Sequence, residues 1–133
     1  MIFLCTLAGE RRSIHNAIID ESVEEIYDNA FYSNPHLRTM AFNLQSVVCH
    51  DGVLKVGKRA FGYCRSLQRV KMPGAKIIEE RAFYGCDCER MTHVELYKSE
   101  TVGDFAFCTC TSLKRVKLPK VKSVGIGALC IQV

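Results

Sequence analysis

The chain has 133 residues, 48% hydrophobic and 24% charged, a balance that supports one globular core and no second one. Its formal net charge of +4 is spread along the chain, short of the clustered basic character of a dedicated nucleic-acid binder. No apolar run approaches the roughly 20 residues that a bilayer-crossing helix requires.

Residues 1–16 open with the apolar stretch Met1 to Gly9, but Glu10-Arg11-Arg12 follows at once and no basic region precedes it. This segment reads as an N-terminal strand or cap rather than a signal peptide. Residues 17–133 then read as about five repeats, the last incomplete. An Ala-Phe dipeptide returns at Ala30-Phe31, Ala60-Phe61, Ala82-Phe83 and Ala106-Phe107, and as Ala128-Leu129. A period of roughly 20 to 29 residues marks a solenoid, whose units cannot bury an apolar face alone and must stack.

Four residues before each alanine stands an aliphatic: Ile26, Val56, Ile78, Val102 and Val124. After it comes a second apolar set, namely Leu37, Met40 and Phe42, then Leu67, Val70 and Met72, then Met91, Val94 and Leu96, then Leu113, Val116 and Leu118. Each set ends in the apolar, polar, apolar alternation of a short strand, and Pro73 and Pro119 close two of them. The third set needs two inserted residues near Asp87-Cys88, and the longer first interval needs an insertion within 43–52. The apolar spacing before each Ala-Phe suits a helical turn or irregular arc. The expectation is an α/β repeat solenoid, with parallel strands on one side and short helical or irregular arcs on the other.

The pattern I-x-x-x-A-F-x-x-C-x-x-L-x-x-V-x-L-P resembles the BspA-like leucine-rich repeats over about residues 17–129. The fullest copies are Val56 to Pro73 and Val102 to Pro119, whereas the first repeat has Asn34 where others have Cys. The resemblance implies a leucine-rich repeat solenoid with its strands on the concave face. It also implies a family found in bacteria and protists, some members being surface adhesins and many having no assigned role.

Eight cysteines are many for a reducing compartment, yet too few for a small disulfide scaffold, and no Asn-x-Ser/Thr sequon is present. Cys64, Cys86 and Cys110 each stand four residues after the repeat alanine, so they should form a ladder, and the resemblance to leucine-rich repeats implies that this slot points inward, where a thiol packs as a small hydrophobe and bonds the turning backbone weakly. Cys86-Asp-Cys88 and Cys108-Thr-Cys110 offer a four-thiolate zinc alternative, but only one residue separates each pair, fewer than structural zinc pairs use. A disulfide between neighbouring coils stays open as a third reading. No metal and no cofactor are expected.

Gly52-Val-Leu-Lys-Val-Gly57-Lys58 nearly spells a phosphate-binding loop, but Arg59 stands where Ser or Thr must hold Mg²⁺. Gly125-Ile-Gly127 belongs to the repeat and lacks a third glycine for dinucleotide binding. His15, His36, His50 and His93 are scattered, and no motif sets a nucleophile and carboxylate beside any of them, so the chain is not read as an enzyme.

Residues alternating with the inward strand positions should face a partner on the concave side: Thr39 and Ala41, then Arg69 and Lys71, then His93 and Glu95 with Tyr97 just beyond, then Arg115 and Lys117. The four strand segments hold six Lys or Arg against Glu95, whereas the arcs carry Glu24, Glu25, Asp28, Glu79, Glu80 and Asp104 against Lys58, Arg59 and Arg81. Such polarity suits a protein-interaction module for an acidic protein surface or segment. The alternatives are a cell-surface adhesion protein, which requires export, and a binder of nucleic acid or anionic surfaces, whose affinity collapses with salt. A cytoplasmic location goes with the first reading and a secreted one with the second. The last apolar stretch, Gly127 to Val133, has no polar capping unit. The expectation is self-association, a partner contact at that end, or a longer array.

Overall fold

The computed structural model describes residues 5–8, 16–32, 45–86, 93–110, 113 and 115–129. The chain winds as a solenoid in which each coil contributes one strand to each of two sheets. The first sheet holds β1 (Cys5–Ala8), β2 (Asn16–Ile19), β4 (Ser46–Val48), β6 (Arg69–Lys71), β8 (His93–Glu95) and β10 (Arg115–Lys117), in the order β1-β2-β4-β6-β8-β10. β1 pairs antiparallel with β2, and every later neighbour is parallel. The second sheet stacks the two-residue strands β3 (Glu25–Ile26), β5 (Lys55–Val56), β7 (Ile77–Ile78), β9 (Thr101–Val102) and β11 (Ser123–Val124), all parallel.

No helix occurs among the described residues, so the expected α/β class gives way to an all-β solenoid with turns for arcs. The backbone supplies the reason. The residue before every repeat alanine lies in the left-handed region: Asn29 (φ 57°), Arg59 (54°), Arg81 (54°), Phe105 (54°) and Gly127 (61°). One such residue interrupts a right-handed helix. It also splits the amides into two sets. Ala60, Gly62 and Cys64 donate to carbonyls three residues back, Gly57, Arg59 and Phe61, closing successive turns. The intervening Arg59, Phe61 and Tyr63 donate to Glu80, Ala82 and Tyr84 of the next coil. A helix would have consumed all six internally. The apolar spacing of four and five residues fits either geometry, which is why the sequence could not separate them.

The Phe of each Ala-Phe pair points inward, and Phe31, Phe61, Phe83 and Phe107 are all at most 2% exposed. Their rings stack at centroid distances of 4.8, 5.2 and 5.0 Å with interplanar angles of 15°, 8° and 4°. That repeat equals the spacing of hydrogen-bonded strands, so one translation satisfies both backbone and rings. Val47, Val70 and Val94 fill the first-sheet side of the core, and Ile26, Val56, Ile78 and Val102 the second. Where Ala75 and Val53 bury an apolar group at the corner between the sheets, the next coil has Ser99, fully buried, whose hydroxyl donates to the Ala75 carbonyl at 2.7 Å. The polar substitution is thus satisfied within the stack.

The first long interval is built differently from the sequence expectation. The strand paired with β6 is Ser46–Val48, with Val47 opposite Val70, rather than Leu37 to Phe42. Val47 stands 17 residues after Ala30, whereas Val70 stands 10 after Ala60, so most of the insertion precedes β4. One further residue enters the corner at His50 to Gly52. There His50 accepts the Gly52 N–H at Nδ1 (3.0 Å), and its Nε2 lies 3.0 Å from the Asp20 carbonyl, tying two coils together.

Phe83 has a stacked ring on each side, and Phe83→Ala removes both contacts and leaves a cavity. The expected loss is about 3–5 kcal/mol, read as a lowered urea midpoint with unchanged slope; a loss below about 1 kcal/mol would mean that the ring column does not hold the coils.

Candidate functional site

The parallel register of the first sheet aligns its residues in two rows on either side of the central valines. Ser46, Arg69, His93 and Arg115 are aligned in one row, and Val48, Lys71, Glu95 and Lys117 in the next. Arg69, Lys71, Glu95 and Arg115 are exposed, as is Tyr97 just past β8. In β4 and β6 the central valine is buried and in β10 it packs partly buried against the core, so the residues flanking it face out.

The outward positions Thr39 and Ala41 lie outside the described residues, and the strand that occupies their expected place brings Ser46 and Val48 instead. Ile18 precedes Val48 in the second row, and the two are 48% and 37% exposed. The face is therefore apolar at its N-terminal side and basic at its C-terminal side. Glu95 divides the lysines. Lys117 reaches it at 3.2 Å, bonds the Tyr97 hydroxyl at 3.3 Å, and lies 5.7 Å from the Tyr97 ring centroid. The hydrogen bond to Tyr97, and then that to Glu95, raise the Lys117 pKa above the usual lysine value.

The second sheet and its arcs are closer to balance than the sequence count suggests. Lys55 sits between Glu25 (3.2 Å) and Glu79 (3.5 Å), Arg81 holds Glu80 at 2.7 Å, and Lys122 holds Glu100 at 2.9 Å. The last contact lowers the Glu100 pKa, chiefly through the hydrogen bond. These are solvent-exposed pairs of small individual value. They pair three of the acids that the sequence assigned to a negative arc side, Glu25, Glu79 and Glu80.

The cysteine ladder forms. Cys64, Cys86 and Cys110 are buried at equivalent places, and the Cys86 thiol donates to the Phe61 carbonyl of the preceding coil at 3.1 Å. Cys110 Sγ lies 3.6 Å from the Phe83 carbonyl. Cys88, needed for the zinc alternative, lies outside the described residues, as do His15 and His36. The near-match to a phosphate loop resolves into coil packing. A side chain at Gly57 would put Cβ 2.5 Å from the Asp28 amide nitrogen of the coil before, so the glycine serves close approach of two backbones. The Asp28 carboxylate accepts the Lys58 N–H at 2.8 Å across the same contact.

The structure also brings together a cluster that the sequence reading did not pick out. Tyr32, Tyr63, Tyr84, Arg59, Gly62 and Arg81 line an open groove of about 390 Å³ on the arcs. Tyr32 and Tyr63 stack at 5.5 Å, and Tyr63 meets Tyr84 edge to face at 5.8 Å. The signal is an exchange within the repeat: Tyr-Ser after the first Ala-Phe, Gly-Tyr after the second, Tyr-Gly after the third. Each glycine leaves room for the tyrosine of the coil before. A Cβ at Gly85 would come within 2.6 Å of the Tyr63 ring, and one at Gly62 within 3.2 Å of Tyr32.

Coils of this length, with parallel strands, an inward aliphatic ladder and an Ala-Phe arc, match the description "BspA type Leucine rich repeat region" in six copies over residues 9–44 and 40–130. The chain belongs to the BspA-type leucine-rich repeat family. The fold is also similar to the crystal structure of a leucine-rich repeat protein of T. pallidum, at 26% identity and a TM-score of 0.73 over 95% of this chain. The chain spans 63% of the length of that protein's chain. No curated protein matches. BspA-type and other leucine-rich repeats are typically non-enzymatic scaffolds that bind proteins, and among the described residues no group of three metal-binding side chains converges.

Replacing Tyr97 by Phe keeps the ring under Lys117 but removes its hydroxyl. The Lys117 pKa is expected to fall toward the ordinary lysine value in an NMR titration of its side chain, and an unchanged value would show that Tyr97 does not hold it.

Proposed function

We propose that this chain is a non-enzymatic protein-interaction module whose first-sheet outer face docks an acidic protein segment. The observation that carries this reading is the two-row register. Arg69, Lys71, Arg115 and Lys117 stand at fixed strand spacings beside exposed Ile18 and Val48. A partner that pairs carboxylates with apolar side chains complements both halves of the face, the charge steering its approach and the apolar patch supplying contact. Tyr97 belongs to the binding set as an exposed aromatic anchor, a residue type enriched where interfaces concentrate their energy. His93 shares the row with Arg69 and Arg115, and Glu95 orients Lys117.

A blocked peptide in which glutamate alternates with leucine probes this face. Its affinity for the wild-type protein is expected to persist at physiological salt and to fall by about tenfold or more in the double variant Arg69→Glu, Arg115→Glu. Equal binding by both proteins, or binding that vanishes with modest added salt, would remove the support for a specific docking face.

A reducing, cytoplasmic location completes the reading. It is supported by the inward ladder in which Cys86 donates its S–H to a backbone carbonyl, a role that an oxidised sulfur cannot fill. Titration of the denatured, unreduced protein with a thiol reagent is expected to count all eight cysteines. Paired cysteines would instead favour an exported adhesion protein.

A further inference from the structure

We propose that the Tyr32, Tyr63, Tyr84, Arg59 and Arg81 groove is a second docking site, which takes a carboxylate-rich peptide segment. It lies on the arcs, apart from both rows of the first-sheet face, and none of its lining residues belongs to that face.

Three features of the groove set its chemistry. First, its positive charge is only partly cancelled, for Arg59 keeps its own while Arg81 shares its charge with Glu80. Glu80 is engaged by Arg81 at 2.7 Å and Asp28 by the Lys58 N–H at 2.8 Å, whereas Arg59 is exposed and makes no ion pair among the described residues. Second, Arg81 is held in place from two sides, 5.8 Å from the Tyr84 ring centroid and 5.4 Å from that of Phe105, in addition to its Glu80 contact. A guanidinium fixed in this way gives up less side-chain entropy on meeting a ligand. Third, the tyrosine faces are largely turned to one another, Tyr32 on Tyr63 and the two rings of Tyr63 and Tyr84 edge to face. What remains for a ligand is ring edges, which carry the positive end of the aromatic quadrupole, and three hydroxyls with no hydrogen-bond partner among the described residues.

Guanidinium, phenolic O–H and ring edge all favour an anion, and carboxylate fits the fork of an arginine. A nucleic-acid strand is disfavoured by the same arrangement. Base stacking requires a free ring face, and the tyrosines spend theirs largely on one another. The volume of about 390 Å³ holds a short stretch of side chains at the low end of the range for ligand sites. The site is built by the coil stack itself, since Tyr32 is seated over Gly62 and Tyr63 over Gly85 of the neighbouring coils.

The probe is a blocked hexaglutamate peptide, titrated at low salt into the full-length protein and followed residue by residue by amide NMR. The readout separates this groove from the first-sheet face, which attracts the same peptide. Amides around Arg59, Tyr63 and Tyr84 are expected to shift with their own saturation curve. Arg59→Gln should weaken that curve by about tenfold, the loss of one charge-assisted contact. Tyr63→Phe, which keeps the stacked ring, should weaken it by a smaller factor, and Arg69→Gln with Arg115→Gln should leave it unchanged. Matching melting temperatures for Arg59→Gln and wild type keep a folding defect from imitating the result. The proposal is overturned if the shifts are confined to the strands, if Arg59→Gln binds as wild type does, if free glutamate saturates the groove as tightly as the peptide, or if a single-stranded oligonucleotide displaces the peptide.

Discussion

Two repeats of nearly equal length meet in this molecule, the roughly 4.8 Å between hydrogen-bonded strands and the centroid separation of offset-stacked aromatic rings. The Phe31, Phe61, Phe83, Phe107 column steps by 4.8 to 5.2 Å, and the Phe amides of the same coils donate to the Ala30-type carbonyl positions of their successors, as Phe61 does to Ala82 and Phe83 to Ala106. Side chain and backbone therefore demand the same translation. Were the rings larger or tilted, the arc ladder would have to stretch; were the arc helical, its amides could not reach across. The alanine before each Phe is small for the same reason, since it is buried where consecutive arcs come closest.

That translation decides what the surface can do. A residue at a given place in one coil has its counterpart one strand spacing away in the next, so single exposed side chains become rows. The rows are not uniform, however. Along the first sheet, Ile18 and Val48 give way to Lys71, Glu95 and Lys117, and the chemical character of the face changes along the solenoid axis. Recognition by such a surface depends on the order of coils as much as on their composition, as expected of a repeat scaffold in which each unit touches only its neighbours.

The repeat, the inward cysteines and the strands centred on Val70, Val94 and Val116 were legible because each is written several times at constant offset. The first coil was not, for a physical reason. Leu37, Met40 and Phe42 reproduce the apolar offsets of a strand, and a hydrophobic pattern cannot tell an insertion from the element it precedes. Leu44 stands three residues before Val47, as Leu67 does before Val70 and Leu113 before Val116, so the strand that does pair with Arg69–Lys71 carries the same signal and the pattern occurs twice in one interval. The arcs could be read only as helical or irregular, because spacing constrains which residues face inward but not the sign of φ at Arg59 or Phe105. The arginine and tyrosine groove escaped notice because its tyrosines occupy two different places in the repeat and become neighbours only when the coils are stacked.

Tyr32 is seated over Gly62, and Tyr63 over Gly85, so neither tyrosine lies over its own sequence equivalent. The phenylalanine column is indifferent to which coil follows which, since every member presents the same ring. The tyrosine seats are not, for they work as a key and lock that differ from one junction to the next. In a chain that could grow by duplicating or losing a unit, this side of the solenoid carries a memory of coil order, and a shuffled array would keep its core while crowding its arcs.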